Sequence, residues 1–192
     1  MTITGRTRSP RSHHFTRWIE GQATGIRREL GAGIRQVITG WDIASALDIP
    51  VLYPEDILGA AHPSAQALRD IGAAWSGACF EFPGRLYVVF LNPLHARTRQ
   101  NVTLAEELSH IWLGHEPSRV GFLDGGRIPL RTYDPSQEKQ AYAVGAATLV
   151  PARALWLLTA RGATDGEIAA HFGVSLDVVR YRRNVTKSLG LD

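Results

Sequence analysis

Hydrophobic residues recur at helical spacing between residues 103 and 115. Wound at about 100° per residue, the segment places four of them on one side: Leu104, Leu108, Ile111 and Trp112. The opposite side carries Glu106, Glu107 and His110. The pattern therefore predicts a helix whose apolar side packs on the core and whose other side presents two carboxylates and an imidazole.

The same kind of pattern predicts a pair of strands ahead of this central helix. Residues 75–82 are the first strand, and residues 85–91 are the second, which is rich in the aromatic and β-branched residues that favour strands. Pro83-Gly84 between them is a turn signal. A short extended segment is predicted at residues 49–53, because proline disfavours the helical conformation in the residue before it.

The rest of the chain is predicted to be helical and connecting segments. Helices are predicted at residues 18–30, 41–47, 135–150 and 152–161. Small residues give the third of these an unusual surface: Ala141, Ala143, Gly145, Ala146 and Ala147. Because small residues let two helices approach closely, we expect this helix to pack on the central one. Residues 163–182 are typical of a helix, a turn at Gly173 and a second helix capped by Ser175.

The first 17 residues contain four arginines and no acidic residue. This composition predicts a disordered basic arm over residues 1–17. Such an arm is either a solvated tail or an electrostatic tether to nucleic acid, and the sequence leaves both interpretations open.

Composition changes this picture little. A chain of 192 residues with 44% hydrophobic and 20% charged residues is long enough for a folded core, and its net charge of +3 does not by itself indicate a nucleic-acid partner. The single cysteine, Cys79, excludes an internal disulfide framework and fits a reducing compartment. No apolar run approaches the roughly 18 residues of a membrane helix, so we expect a cytoplasmic protein without a membrane partner.

The polar side of the central helix has the spacing of a metal site. Glu106 and His110 are four residues apart, so their side chains stack one turn apart. The H-E-x-x-H helix of zinc peptidases holds its metal in this way, but here Glu106 occupies the place of the first histidine. A second interpretation is that Glu106 only completes a capping box with Thr103.

Several segments taken in order also resemble one known family. They are Leu91-Asn92-Pro93 after the second strand, the Arg99 linker, Thr-Leu-Ala at the start of the central helix, Gly114-His115 at its end, and residues 138–143 leading to Thr148-Leu149-Val150-Pro151. Over roughly residues 40–185, their order and spacing resemble the ImmA/IrrE family of metallopeptidases.

The resemblance implies an α+β fold. A zincin-like core would pack a small sheet on a helix pair over residues 18–160, and a helix-turn-helix-like unit would follow over residues 161–192. It also implies proteolysis of a partner protein, usually a helix-turn-helix repressor, whose removal releases genes of mobile elements or stress responses.

The family's site residues can be carried over one by one. His110 matches the second histidine ligand, Glu107 the general base and Glu138 the downstream acidic ligand. Glu106 replaces the first histidine ligand, and Gln140 stands where the family has a further acidic residue.

The resulting donor set remains suited to a divalent metal. Zinc, the expected metal, accepts carboxylate oxygen as readily as imidazole nitrogen. One imidazole with two carboxylates also suits iron or manganese. Glu107 would lie near both carboxylate donors, Glu106 and Glu138, and the three would repel one another without a cation, which raises the pKa of at least one.

Four further residues are weaker candidates. His115 could supply the missing imidazole or simply bind carbonyls of the last helical turn, and Cys79 could be a thiolate ligand or a small buried hydrophobe. Arg131 and Tyr133, in the loop before residue 135, could polarise a scissile carbonyl or could be ordinary surface residues.

The C-terminal unit carries its own basic residues. Arg180, Arg182 and Arg183 lie on its second helix and could contact phosphates. Members of the family more often pack this unit on the core or use it to engage a protein, so both kinds of contact stay open.

Two functions follow from these observations. The first is an intracellular metal-dependent peptidase that acts on a repressor-type regulatory protein, with Glu107 as general base. The second is a catalytically inactive regulator of the same fold that binds protein or DNA. A metal-dependent hydrolase of small molecules is a third interpretation.

Overall fold

The computed structural model describes residues 10–115, 120–123, 128–131 and 134–190. Its helices are α1 (Pro10–Glu29), α2 (Gly40–Ala46), α3 (Pro54–Leu58), α4 (Pro63–Asp70), α5 (Arg97–Leu113), α6 (Pro135–Leu149), α7 (Ala152–Ala160), α8 (Asp165–Phe172) and α9 (Leu176–Thr186). Its strands are β1 (Val51–Leu52), β2 (Gly77–Phe82), β3 (Leu86–Leu91), β4 (Val120–Leu123) and β5 (Ile128–Arg131). Two 3-10 turns, Gly72–Ala74 and Lys187–Leu189, complete the described elements.

A three-stranded sheet supports the central helix α5. Its strand order is β1-β3-β2, with β1 parallel and β2 antiparallel to β3, so the predicted hairpin is confirmed. At the hairpin tip Gly84 and Arg85 both have left-handed backbones, with φ of 85° and 61°. Side chains alternate across a strand. Val89 and Leu91 are fully buried, whereas Phe80 on the opposite face is half exposed.

Helices α5 and α6 pack closely against each other at Gly145. A Cβ atom added to Gly145 would lie 2.9 Å from the backbone carbon and oxygen of Ala105. Because a Cβ atom essentially never comes within 3.0 Å of another heavy atom that it is not bonded to, any larger residue at 145 would push the helices apart. The predicted packing of the small-residue helix on the central one is therefore confirmed.

The apolar side of α5 faces the core as its periodicity predicts. Leu104 and Leu108 are fully buried, and Ile111 packs against the core one turn later. Trp112 is partly buried against α1, where its ring lies 3.1 Å from a Cβ built on Gly25. A small sheet on a helix pair, with further helices after it, is the α+β architecture expected of a zincin-like core, and the predicted fold class is confirmed.

Part of the predicted N-terminal arm is helical. Helix α1 begins at Pro10, so residues 10–17 are helical and their assignment to a disordered arm is wrong; residues 1–9 lie outside the described residues. Apolar residues at helical spacing drive this helix into the core: Phe15, Ile19, Ala23 and Ile26. Arg17, one of the arginines that indicated an arm, is exposed and lies off this stripe.

Helix α5 also begins earlier than predicted. It starts at Arg97, so Thr103 lies in its second turn and the capping-box interpretation of Glu106 is wrong. Asn101 does not cap the helix but bridges two other elements. Its Oδ1 accepts a hydrogen bond from the Gly40 N–H at 2.7 Å, and its Nδ2 donates to the Gly173 carbonyl at 3.0 Å.

The C-terminal unit has the predicted helix, turn and helix. Thr164 and Glu167 form a capping box at the start of α8, and the turn at Gly173 has a left-handed φ of 61°. Ser175 accepts a hydrogen bond from the Val178 N–H and caps α9.

A buried arginine joins this unit to the first helix. The Arg182 side chain is fully buried; its Nε donates to the Val150 carbonyl at 2.9 Å, and its Nη2 donates to the Glu20 carboxylate. The other oxygen of Glu20 accepts a hydrogen bond from the Ala152 N–H at 3.1 Å. One ion pair thus connects α1, the α6–α7 junction and α9.

We expect Arg182→Ala to lower the free energy of unfolding by about 3 kcal/mol, because it leaves the Glu20 carboxylate and the Val150 carbonyl without this donor. Urea unfolding measures the change. Arg180→Ala is the matched control on the same helix: its partner Asp177 is exposed, so it should cost less than about 1 kcal/mol. Equal losses in the two variants would contradict the assignment.

Candidate metal centre

Two candidate ligands come from different helices and meet. His110 lies in the last turn of α5, and Glu138 lies in the first turn of α6. The His110 Nε2 is 3.7 Å from the Glu138 Oε2, and both side chains are mostly buried. The pairing of an imidazole and a carboxylate at this point was predicted from the sequence.

Glu106 lies beside this pair on α5. Burial, then the nearby carboxylates of Glu107 and Glu138, raise the pKa of Glu106 to about 8. The carboxyl therefore carries a proton at neutral pH unless a positive charge comes close. This is the rise expected where carboxylates converge.

Glu107 points toward the sheet. Its Oε2 accepts a hydrogen bond from the backbone N–H of Cys79 on β2 at 3.1 Å. Burial raises the pKa of the Cys79 thiol to about 12, with further contributions from Glu107 and Glu81. A thiol with this pKa stays protonated at neutral pH, which favours the interpretation of Cys79 as a small buried hydrophobe over a thiolate ligand.

His115 is directed back onto the last turn of α5. Gly114 ends the helix with a left-handed φ of 65°, and the His115 N–H donates to the His110 carbonyl at 3.0 Å. The His115 ring contacts two side chains: its Nδ1 is 3.1 Å from His110 Nδ1, and its Nε2 is 3.3 Å from Gln140 Oε1. Gln140 is therefore a neighbour of the site. From the sequence it was identified only as a position where the family has an acidic residue.

Tyr142 is a second neighbour that the sequence did not single out. It lies one turn after Glu138 on α6 and packs edge-on against Tyr181 of α9, with ring centroids 5.0 Å apart. Burial, followed by the charge of Glu106, raises the pKa of the Tyr142 phenol. No periodicity or motif distinguishes this tyrosine from an ordinary core aromatic.

Two predicted residues fall outside what can be described. Tyr133 lies between the described ranges, and only the backbone of Arg131 is described, at the end of β5. Their predicted roles stay predictions. The expected long loop contains an antiparallel hairpin, β4 with β5, in its described portion.

The basic residues of the C-terminal unit are less available than predicted. Arg182 is fully buried, so its assignment to a phosphate or partner contact is wrong. Arg183 Nε donates to Asp165 at 2.6 Å, and Arg180 Nη1 to Asp177 at 3.3 Å. Of the three, Arg180 and Arg183 keep solvent exposure, each beside a carboxylate.

The candidate ligands form a pair rather than a complete set. Across residues 10–115, 120–123, 128–131 and 134–190, no group of three or more His, Cys, Asp or Glu side chains is placed to hold a metal ion. His110 and Glu138 are in reach of one another, and the Glu138 carboxylate contributes to the raised pKa of Glu106.

Comparison with known proteins decides the family. Residues 66–184, more than half of the chain, match the Peptidase_M78 family, the IrrE N-terminal-like domain. The chain belongs to this family. The match contains α5, α6 and most of the helix-turn-helix-like unit, so the ImmA/IrrE resemblance is confirmed. A search of curated proteins gives no match.

Membership of the M78 family gives the chain a metal-dependent peptidase-like or regulatory role. Peptidases of this family generally use zinc, and the family is known for cleaving regulatory proteins. In the described part of the chain no single helix is long and apolar enough to cross a membrane; α6 and α7 meet that criterion only as a pair bent by 48°.

Glu106→Gln should change how stability depends on pH in metal-free protein. Below pH 4.5, the ordinary pKa of the carboxyl, it is protonated in both folded and unfolded chains. Between 4.5 and about 8 the unfolded chain releases the proton and the folded chain keeps it, so wild-type stability falls as pH rises. Glutamine has no such proton, and the variant should exceed wild type by roughly 2–4 kcal/mol above this window.

Urea unfolding at several pH values in the presence of a chelator measures this difference. Glu29→Gln, at an exposed carboxylate of α1, is the control and should follow the wild-type curve. A Glu106→Gln curve parallel to wild type would show that the carboxyl is not destabilised by its neighbours.

Proposed function

We propose that this protein is a metal-dependent peptidase that cleaves a repressor-type regulatory protein. The observation that carries the proposal is the 3.7 Å approach of His110 Nε2 to Glu138 Oε2, between two helices in backbone contact. Membership of a family known for cleaving regulatory proteins supports the substrate class. The single cysteine of the sequence fits a reducing, cytoplasmic compartment.

The donor chemistry at this place fits a divalent cation. An imidazole nitrogen and a carboxylate oxygen are both ligands that zinc accepts, and iron or manganese suit a set with more carboxylates. The raised pKa of Glu106 supports the fit, because a cation among the carboxylates would offset the burial and the neighbouring negative charges that keep this group protonated. We therefore assign His110 and Glu138 as ligands and Glu106 as the third donor.

The mechanism uses the side chains of α5. A bound divalent metal would supply Lewis-acid polarisation of a carbonyl and a lower pKa for water. Glu107 acts as the general base that accepts the proton of the attacking water. The Cys79 N–H, 3.1 Å from its Oε2, holds this carboxylate at the edge of β2. The role proposed for Arg131 and Tyr133 is to stabilise the oxyanion that forms on the scissile carbonyl.

A specific observation also favours the catalytically inactive alternative. The described residues bring together a ligand pair and not three donors, and the proposed base already accepts a backbone hydrogen bond. In that case the contact between His110 and Glu138 would serve only to stabilise the helix pair, and the domain would regulate by binding protein or DNA.

Metal content separates the two functions. The purified protein should hold about one equivalent of a divalent metal after exposure to zinc, ferrous iron or manganese, because three donors plus water complete its coordination. Elemental analysis should show loss of this metal in Glu106→Ala and His110→Ala. Glu29→Ala, at an exposed carboxylate on α1, should retain it. A protein that stays empty with every metal would be the inactive regulator.

The role of Glu107 is tested by Glu107→Gln. Hydrolysis should fall by about 10²–10⁴-fold, because the amide accepts no proton, while metal content stays at the wild-type level. Cleavage is followed by electrophoresis on repressor-type proteins encoded beside the gene. Glu81→Gln, a second carboxylate near Cys79, is the matched control and should cleave normally. Undiminished turnover in Glu107→Gln would show that another group is the base.

A further inference from the structure

A chain of hydrogen bonds runs from His110 through His115 to Gln140. It joins His110 Nδ1 to His115 Nδ1 at 3.1 Å, and His115 Nε2 to Gln140 Oε1 at 3.3 Å. Gln140 Nε2 donates to the hydroxyl of Ser136 on the preceding turn of α6 at 3.4 Å. These hydrogen bonds therefore link the end of α5 to the first turns of α6.

Donors and acceptors in this chain fix where the protons lie. A neutral imidazole has one N–H, and an amide oxygen only accepts. His115 Nε2 must therefore carry the proton that Gln140 Oε1 accepts. Its Nδ1 is then an acceptor, so the proton between the two rings belongs to His110 Nδ1. The lone pair of His110 is consequently on Nε2, the nitrogen 3.7 Å from Glu138.

We propose that His115 is a positioning residue that holds His110 in the Nδ1–H tautomer, with Nε2 directed to the metal. The effect on metal binding rests on the proposed function, whereas the tautomer of His110 is a property of the metal-free protein. Both ring nitrogens of His115 are engaged in the chain, so His115 acts through His110 and is not an additional ligand. Histidine ligands commonly donate their second N–H in this way, which fixes both tautomer and ring direction.

The backbone prepares this arrangement before any metal binds. The left-handed turn at Gly114 and the hydrogen bond from the His115 N–H to the His110 carbonyl return the chain onto its own helix. The two rings meet edge to face, with centroids 5.0 Å apart and planes at 73°. This geometry orients an edge nitrogen of one ring at the other, which a stacked arrangement would not do.

The tautomer is measured directly by long-range ¹H–¹⁵N correlation of the histidine rings. The metal-free protein is examined in chelator, at a pH about two units above the ordinary imidazole pKa of about 6.5. His110 should give the Nδ1–H pattern and His115 the Nε2–H pattern. An Nε2–H or doubly protonated His110 would overturn the proposal. His171 on α8, which packs on Phe172, serves as the internal reference for an intact fold.

Two variants at 115 separate positioning from packing. His115→Phe keeps a planar ring beside His110 but removes both nitrogens, so His110 should lose the Nδ1–H form. His115→Asn returns an amide oxygen near the position of Nδ1 and should restore it. If His110 keeps the same tautomer in wild type and in His115→Phe with the His171 signals unchanged, His115 does not set it and the proposal fails.

Metal affinity gives the second readout. Titration with zinc should show binding weakened about 10–100-fold in His115→Phe and largely restored in His115→Asn. Equal zinc affinity in wild type and His115→Phe would also overturn the positioning role. A wild-type protein with the predicted tautomer but no affinity for zinc, ferrous iron or manganese would instead refute the proposed peptidase function and leave the tautomer assignment standing, so the two failures are distinguishable.

Discussion

The contact between Gly145 and the backbone of Ala105 is the constraint on which the candidate site depends. A Cβ at 145 would lie 2.9 Å from that backbone, so α5 and α6 lie too close at this point to admit a side chain at 145. His110 is five residues after this contact on α5, and Glu138 is seven residues before it on α6. At 1.5 Å per residue, these offsets are about 7.5 and 10.5 Å along the two helices. A wider spacing between the helices would separate the imidazole from the carboxylate.

Buried arginines fix the outer elements around this pair. Arg27 on α1 donates from Nη1 to the Thr148 carbonyl at 2.7 Å and from Nη2 to the Gly33 carbonyl at 2.6 Å. Arg182 on α9 contacts the Val150 carbonyl and Glu20. Both guanidinium groups thus donate hydrogen bonds to carbonyls near the end of α6. The last turn of α6 is held by α1 and α9 together, and the C-terminal unit is part of the same core and not an appendage.

Local sequence signals predicted the elements whose causes are local. Pro83-Gly84 indicated the hairpin, the spacing of Leu104 and Leu108 indicated the buried side of α5, and the small residues around Gly145 indicated its partner. Capping residues such as Ser175 also gave the turn of the C-terminal unit. In each case the residues that decide the structure are neighbours along the chain, within one or two turns or across one hairpin.

What the sequence did not reveal depends on distant partners. Arg182 was expected to be exposed because its partner Glu20 is 162 residues away and nothing local marks the pair. His115 follows the end of a helix, so helical periodicity does not predict the direction of its ring. Its contact with Gln140 is a tertiary contact between two helices. The start of α1 was missed because the charge of its first two turns outweighed an apolar stripe that begins at Phe15.

Asn101 shows what such a tertiary link requires of a side chain. Its amide is buried and uses both ends, accepting from the Gly40 N–H and donating to the Gly173 carbonyl. Deamidation to aspartate would keep the shape and the acceptor but set an anionic oxygen against a carbonyl. Leucine would fill the same volume but could neither accept the hydrogen bond from Gly40 nor donate one to Gly173. The start of α2 and the turn before α9 therefore depend on the same amide group. Deamidation of Asn101 would weaken the attachment of both segments to α5 at once.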